Sequence, residues 1–242
     1  MKRRLSALIL LLFLLFPGCT LKTEKINLFE ENKPGHFLCG DALGKKLGIA
    51  TFIDSRPEVE RTGKKANGTY LLLWNQRKGN YVTGDKDFVD FSFKKITELS
   101  NKHIAKSNCF IESKVIDTPM SSQPSQSELL MAFANEKVDY VLIGEVQHLF
   151  GAQYQDASVL IVPALVVNAA GGHNTVGDAE GTVEILFTMY NTQTGQEIWR
   201  ELIKGVASSS VRGNYNGVVK DALNDANERL AEQILQFARG VA

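Results

Sequence analysis

The chain has few of the side chains that usually bind metals or perform catalysis. Its 242 residues include three cysteines and four histidines, and no histidine stands at a metal-site spacing from a second histidine, cysteine or carboxylate. The Gly-x-Ser-x-Gly elbow of many hydrolases is missing, and the glycine-rich stretch AAGGHNTVGDAEG lacks the Gly-Lys-Ser/Thr ending of a P-loop. These absences predict a protein that is not an enzyme and that needs no metal or cofactor.

An excess of charge of either sign is also missing. The chain has 27 basic and 27 acidic residues, and three of the basic ones, Lys2, Arg3 and Arg4, belong to its amino-terminal segment. The remainder is therefore mildly acidic, and it gives the phosphates of a nucleic acid no electrostatic attraction. We predict no nucleic-acid partner.

Residues 1–18 have the composition of a secretory signal peptide. A basic start precedes an apolar run from Leu8 to Phe16 that is too short for a comfortable spanning helix. The run ends in Leu-Phe-Pro-Gly-Cys, and a small residue directly before Cys19 resembles the bacterial lipobox. That resemblance implies cleavage before Cys19 and acylation of its thiol, palmitate included, although Phe16 and Pro17 depart from the usual pattern. The alternative is a plain signal peptide followed by an incidental cysteine.

Acyl chains on Cys19 would hold the protein at a membrane surface. Thr20 stands where an Asp often signals inner-membrane retention in enteric bacteria, so we expect the outer membrane, with the body facing the periplasm. In that oxidising compartment Cys39 and Cys109 either form a disulfide or remain two separate buried thiols.

The chain divides into a signal peptide, a lipidated cysteine with a tether over 19–44, and one α/β domain over 45–242. The tether is predicted because residues 20–37 are polar and unpatterned, with Pro34-Gly35 as a turn signal. The domain shows strand patterns at 46–54, 109–117, 138–150 and on either side of 191–195, a hairpin within 69–84, and helix patterns from Asp85 to about 106, at 127–136 and at 215–239.

This order predicts an α/β (α+β) fold with a mixed sheet and helices mainly on one face. Val183, Ile185, Phe187 and Met189 should share one face of a strand, and Gly195 should supply a positive φ in the turn that follows. The last helix should bury a stripe formed by Val219, Ala222, Ala226, Leu230, Ile234 and Phe237.

Three segments together carry a resemblance to a known family. They are GIATFIDSR, DYVLIGEVQHLF and the hairpin EILFTMYNTQTGQEIW, followed by the terminal amphipathic helix. Over residues 45–239 the chain resembles envelope lipoproteins built on the domain seen at the amino terminus of TolB, a group that includes CsgG, LpoB and YajG. The resemblance implies a periplasm-facing module for protein contacts or assembly, with envelope proteins or a second copy as partners.

The stretch ASVLIVPALVVNAAGG, residues 157–172, is unusually apolar for the connection between two strands. It is shorter than the roughly 20 apolar residues of a spanning helix, and Pro163 interrupts it. Three uses stay open: packing over the sheet, binding a partner or second copy, and contact with a membrane. Its candidate interaction residues are Val159, Leu160, Ile161, Val162, Pro163, Leu165, Val166 and Val167.

The resulting hypothesis is a lipid-anchored, non-enzymatic envelope module that acts through a sheet edge and the 157–172 loop. The alternative is an exported binding protein for a small apolar ligand or lipid. A hydrolase would need polar groups around His148 or His173, and we expect these histidines to be structural or solvent-facing. For Asp54 and Arg56 we expect a local ion pair or turn contact.

Overall fold

The computed structural model describes residues 26–30, 38–39, 43–62, 88–117, 120, 124–133, 135–155, 176–210 and 215–241. The strands are β1 (Lys46–Ala50), β2 (Ile53–Asp54), β3 (Glu112–Ile116), β4 (Tyr140–Gln155), β5 (Val176–Asn191) and β6 (Glu197–Ser209). The helices are α1 (Glu58–Thr62), α2 (Phe93–Ser107), α3 (Gln126–Phe133) and α4 (Tyr215–Val241). The predicted hairpin at 69–84, Asp85, Cys19, His173 and residues 157–172 lie outside the described ranges.

The six strands form one sheet in the order β3-β1-β4-β5-β6, and β2 extends the β1 side of β4. β1 runs parallel to β3 and β4, whereas β4, β5 and β6 are antiparallel neighbours. The start of β4 is buried on both faces, with Val141 and Ile143 on one side and Leu142 on the other. The predicted mixed α/β fold and the central place of this strand are confirmed.

Helices α2 and α4 cover one face of the sheet and enclose the larger core. The period-two side chains of β5 face this core, as predicted, and the stripe of α4 is buried against them except for the partly buried Phe237. A smaller core lies on the opposite face under α3, formed by Ala50, Ile116, Met120, Leu129, Phe133, Val138, Val141 and Ile143. The helices therefore lie mainly on one face. Among the described helices, none combines the length and apolar character that crossing a bilayer requires.

Helix α4 approaches the sheet most closely at two glycines of its neighbouring strands. A Cβ atom on Gly205 of β6 would collide with the carbonyl oxygen of Ala222, and one on Gly181 of β5 would collide with that of Val218. The absence of side chains at these two positions lets the helix lie directly on the backbone of the sheet.

Helix α2 starts later than the sequence pattern indicates. Ser92 is its N-cap: the backbone is extended there, with φ −157°, and the hydroxyl accepts a hydrogen bond from the Lys95 amide at 3.2 Å. Asp90 has a positive φ of 48°, which interrupts any helix upstream. The predicted helix from Asp85 is therefore wrong for Phe88 and Phe91, which precede α2, although Phe88 is buried.

Part of the predicted tether is packed onto the domain. We call residues 26–30 and 38–39 the strap. Leu28 is fully buried in the larger core, the Val89 amide donates to the carbonyl of Ile26 at 3.2 Å, and Lys220 of α4 binds Glu30 at 3.0 Å. Residues 26–30 are thus packed rather than free, and the signal that the sequence offered for this is the apolar content of Ile26, Leu28 and Phe29.

The strap ends at a pair of cysteines. The Cys39 amide donates to the carbonyl of Ser107 at 2.8 Å, which places Cys39 at the carboxyl end of α2. The sulfur atoms of Cys39 and Cys109 lie within bonding distance as a disulfide, with their Cα atoms 5.0 Å apart. This geometry joins the strap to the segment that leads into β3.

Candidate functional site

The antiparallel half of the sheet exposes the face that α4 does not cover. We call this surface the open face; its side chains are Glu145, His148 and Phe150 from β4, Glu184 and Leu186 from β5, and Leu202, Lys204 and Val206 from β6. Strand alternation places them together, because their neighbours Val183, Ile185 and Ile203 point into the larger core. Leu202 and Val206 are 48% and 49% exposed, which is high for large apolar side chains on an ordered strand.

A line of four charged or titratable side chains crosses the open face, and we call it the charged row. Glu60 Oε1 lies 2.7 Å from His148 Nδ1, and His148 Nε2 lies 3.9 Å from Glu184 Oε2. Glu184 Oε1 in turn binds Lys204 Nζ at 2.7 Å. The row therefore runs from the buried carboxylate of Glu60 to an exposed lysine on the outermost strand.

Helix α1 positions Glu60 by continuing the edge pairing of β4. The Ser55 amide donates to the carbonyl of Val146 at 3.0 Å, and then Glu60 Oε2 accepts from the Leu149 amide at 3.1 Å. The Glu60 carboxyl group thus takes the place of a strand carbonyl, and it can be buried because both of its oxygens have partners. An irregularity between Val146 and His148 brings the imidazole opposite Glu184.

His148 lies between two carboxylates of the charged row. One ring nitrogen faces Glu60 and the other faces Glu184, so the imidazole joins two carboxylates. Among the described residues, no group of three side chains is arranged to hold a metal ion. A nucleophile with a free base beside it is the arrangement that acyl transfer requires, and the described contacts of His148 do not supply one.

Sequence reasoning missed the contact between Glu60 and His148. The two residues are 88 positions apart, and Glu60 lies between the predicted strand at 46–54 and the predicted hairpin at 69–84. A local signal was present, since Pro57 followed by Glu58 and Glu60 is typical of the first turn of a helix. That signal predicts α1, but it does not predict the strand against which α1 packs.

Two half-buried titratable groups, Glu145 and Tyr190, lie between the charged row and the smaller core on the same face of the sheet. Burial raises the pKa of the Glu145 carboxyl above its usual value, while the positive charge of Arg200 and a hydrogen bond from Ser55 act in the opposite direction. Burial also raises the pKa of Tyr190, and the nearby carboxylate of Glu197 adds to that effect. Partial burial of these two side chains thus disfavours their charged forms.

Asp54 and Arg56 form a local ion pair, which confirms the prediction. Arg56 Nε and the terminal Nη2 bind the two oxygens of Asp54 at 2.8 and 3.0 Å. The guanidinium carbon lies 5.2 and 5.1 Å from the ring centroids of Phe91 and Phe93. The pair joins the end of β2 to the segment before α2, and this role is structural.

A cleft of about 190 Å³ lies between the strap and α2. It is lined by Asn27, Phe29, Lys95, Glu98, Leu99 and Lys102. This mixture of apolar stems and opposite charges differs from the apolar lining that a hydrophobic ligand requires. The cleft therefore gives no support to the alternative of a small apolar ligand.

Comparison with known proteins finds likeness in structure and none in sequence. No family model matches the chain, and no curated protein matches it. A Xanthomonas campestris protein of the family model DUF330 is 8% identical, with 90% of this chain and 95% of that chain covered and a TM-score of 0.47.

Two other similar structures are those of a lipoprotein and of a domain of LpoB. Lipoprotein GNA1162 from Neisseria meningitidis is 10% identical over 78% of this chain and 99% of that chain, with a TM-score of 0.35. The LpoB C-terminal domain from Salmonella enterica is 13% identical over 70% of this chain and 87% of that chain, with a TM-score of 0.30. LpoB belongs to the group that the sequence resembles. The function of this chain has to be argued from its own surfaces.

Proposed function

We propose that this protein is a lipid-anchored, non-enzymatic module of the bacterial cell envelope that binds a protein partner through the open face and the outer edge of β6. The observation that carries the proposal is the placement of Leu202 and Val206. Both are about half exposed on the outermost strand, on either side of Lys204. Apolar side chains that flank one charge in this way are typical of an interface.

The backbone of β6 adds hydrogen-bonding capacity to this surface. The Val206 amide points away from β5 and donates to Asp225 Oδ2 of α4 at 2.9 Å. Because backbone groups alternate in direction along a strand, those of Leu202 and Lys204 also point outward. An extended partner segment can pair with such an edge, while Leu202 and Val206 contact its side chains.

The apolar residues 157–172 are proposed as a second contact of the same kind. They are connected to Gln155 and Val176, the ends of the β4–β5 ladder that carries the open face. The proposed residues are those named above: Val159, Leu160, Ile161, Val162, Pro163, Leu165, Val166 and Val167. Envelope proteins or a second copy of this chain are the partners that we expect.

Site-specific photo-crosslinking in intact cells tests the interface. A photoreactive residue at position 202 should give a discrete adduct, whereas one at Ile111, which is 64% exposed at a distant point, should not. An adduct of twice the protomer mass identifies self-association, and another discrete mass identifies a different protein. The charge reversal Lys204→Glu should weaken the adduct. If positions 202 and 111 give the same pattern, the proposed interface is wrong.

Acylation of Cys19 and an outer-membrane location are proposed on the lipobox resemblance alone. The variant Cys19→Ser should lose incorporated palmitate and leave the membrane fraction. Separation of inner and outer membranes then places the wild-type chain. Retention of the serine variant in the membrane fraction would contradict the proposed anchor.

A further inference from the structure

Strand β6 presents a short regular stretch of its outer edge. Its outward backbone groups belong to the even-numbered residues, as the direction of the Val206 amide shows. The register with β5 shifts at Ile198, and this irregularity interrupts the regular edge near its start. The regular outward positions after it are Arg200, Leu202, Lys204 and Val206.

A side chain of α4 already occupies the last of these positions. Asp225 Oδ2 accepts a hydrogen bond from the Val206 amide at 2.9 Å, and Arg229 Nε binds the same oxygen at 3.0 Å. The carboxylate stands where the carbonyl of a neighbouring strand would stand. A partner strand therefore has to form its ladder hydrogen bonds before this point, along residues 200–204.

This stretch presents an ordered pattern of charge. Arg200, Glu201, Leu202 and Lys204 are exposed, whereas Ile203 faces the larger core. Side chains directly opposite each other in an antiparallel pair stabilise it when their charges differ and destabilise it when their charges are alike. A complementary segment therefore places acidic side chains opposite Arg200 and Lys204. It places a basic side chain opposite Glu201 and an apolar one opposite Leu202.

Most registers between two copies of β6 lack this complementarity. Two copies related by a two-fold axis pair antiparallel, so each register is centred on one residue and its own copy. A centre at Arg200, Glu201 or Lys204 places a charge opposite an identical charge. A centre at Leu202 places Arg200 of each copy opposite Lys204 of the other. Like charges directly opposite each other destabilise all four of these registers.

The remaining register is centred on Ile203. It places Leu202 opposite Lys204 and Arg200 opposite Val206, so like charges are avoided, but no opposite charges meet. The pair that includes Val206 also requires the amide that α4 already occupies. Self-pairing through this edge is therefore short and gains nothing from the charges.

We infer that the outer edge of β6 binds an extended segment of a different protein, antiparallel to β6, in which the order of side chains is acidic, apolar, apolar, basic, acidic. The inference rests on the proposed function and names the class of partner for the same surface. Charge complementarity along residues 200–204 selects this segment over a second copy.

Two synthetic peptides test the charge order. The matching peptide is acetyl-Thr-Glu-Val-Ile-Lys-Glu-Thr-amide, and the control, acetyl-Thr-Lys-Val-Ile-Glu-Lys-Thr-amide, has every charge reversed. Each is titrated at low salt into the isotopically labelled full chain in detergent, and the backbone amide signals of residues 200–204 report binding. The matching peptide should bind at least about tenfold more tightly than the control.

The double variant Arg200→Glu/Glu201→Lys should reverse this preference, because it inverts two of the three charge pairs. Both side chains are exposed, so the variant should keep the thermal unfolding midpoint of the wild type. Equal affinities of the two peptides for the wild type, or binding of neither at millimolar concentration, overturns the inference.

The photo-crosslinking experiment separates this inference from the proposed function. An adduct of twice the protomer mass from position 202 leaves the proposed interface standing and overturns the inference. The same pattern from positions 202 and 111 overturns both.

Discussion

At the scale of single residues, Arg56 shows how this protein keeps a charge in its interior. The side chain is 1% exposed, it binds both oxygens of Asp54, and two phenylalanine rings cover it. A buried guanidinium is tolerated only while a carboxylate and aromatic faces replace its water. The stability of the region around the end of β2 should therefore depend strongly on Asp54.

The substitution Asp54→Asn tests this dependence. It keeps the shape of the side chain but removes the negative charge that binds Arg56 at both of its oxygens, and we expect the free energy of unfolding to fall by about 3 kcal/mol. Urea denaturation measures the change. As a control, Asp117→Asn breaks the exposed pair with Lys94 and should leave the unfolding midpoint unchanged. Equal effects of the two substitutions would show that burial of Arg56 is not the cause.

The Glu145 carboxyl gives the protein a predictable response to pH. Burial raises the pKa of this carboxyl in the folded state above its ordinary value of 4.5. Glu145 therefore contributes most to the free energy of unfolding at a pH below 4.5, where it is protonated. This contribution is lost as the pH rises through the folded-state pKa. The variant Glu145→Gln cannot ionise, so the melting temperature of the variant relative to wild type should be higher at pH 7.5 than at pH 4. A constant difference across this range would contradict the assignment.

At the scale of elements, the contact between α4 and the sheet depends on two positions without side chains. Gly205→Ala places a methyl group against the Ala222 carbonyl, and either the helix moves away or the strand bends. We expect a loss of several kcal/mol or failure to fold, as for other overpacked interiors. Gly240→Ala, in the same helix, meets open space and should be neutral or stabilising by about 0.5–1 kcal/mol. Thermal unfolding of both variants measures the contrast.

Elements with strong local patterns could be predicted from the sequence. The alternation at Val183, Ile185, Phe187 and Met189 identified β5, and Gly195 has the positive φ of 67° that its turn position indicates. Helix α4 starts at the predicted residue and ends two residues beyond the prediction. These patterns are local: a side-chain period or a backbone requirement is visible without knowing what packs against it.

Elements fixed by distant contacts could not be predicted. The strap packs through Leu28, and the start of α2 depends on the backbone at Asp90 and Ser92. Glu60 matters because its carboxylate accepts the Leu149 amide at the edge of β4. For the candidate site, the sequence analysis led to the hypothesis that the protein acts through a sheet edge. It did not indicate the charged row, because the row exists only after strand pairing sets the register of His148 and Glu184.

At the scale of the whole molecule, Cys39 and Cys109 close a long loop. The two cysteines are 70 positions apart. A bond between them lowers the entropy of the unfolded chain, which raises the free energy of unfolding by about 4 kcal/mol in the loop-entropy description. We expect the variant Cys39→Ala/Cys109→Ala to unfold at a lower urea concentration by a corresponding amount. Wild type with a reducing agent should approach the variant, whereas Cys19→Ser should not. Unchanged unfolding of the reduced wild type would show that the bond does not form in solution.

The sheet order has a consequence for the sequence of events during folding. β1 is made first but lies between β3 and β4, and Lys46 must find Asp139 across 93 positions of chain. β4, β5 and β6 pair with their neighbours along the chain, so their contact order is low and they can form a meander early. β1 then has to pair with the exposed edge of β4 in this meander. We therefore expect β1, although it is made before the other described strands, to be the last that is hydrogen-bonded on both sides, with its apolar residues open to aggregation until then.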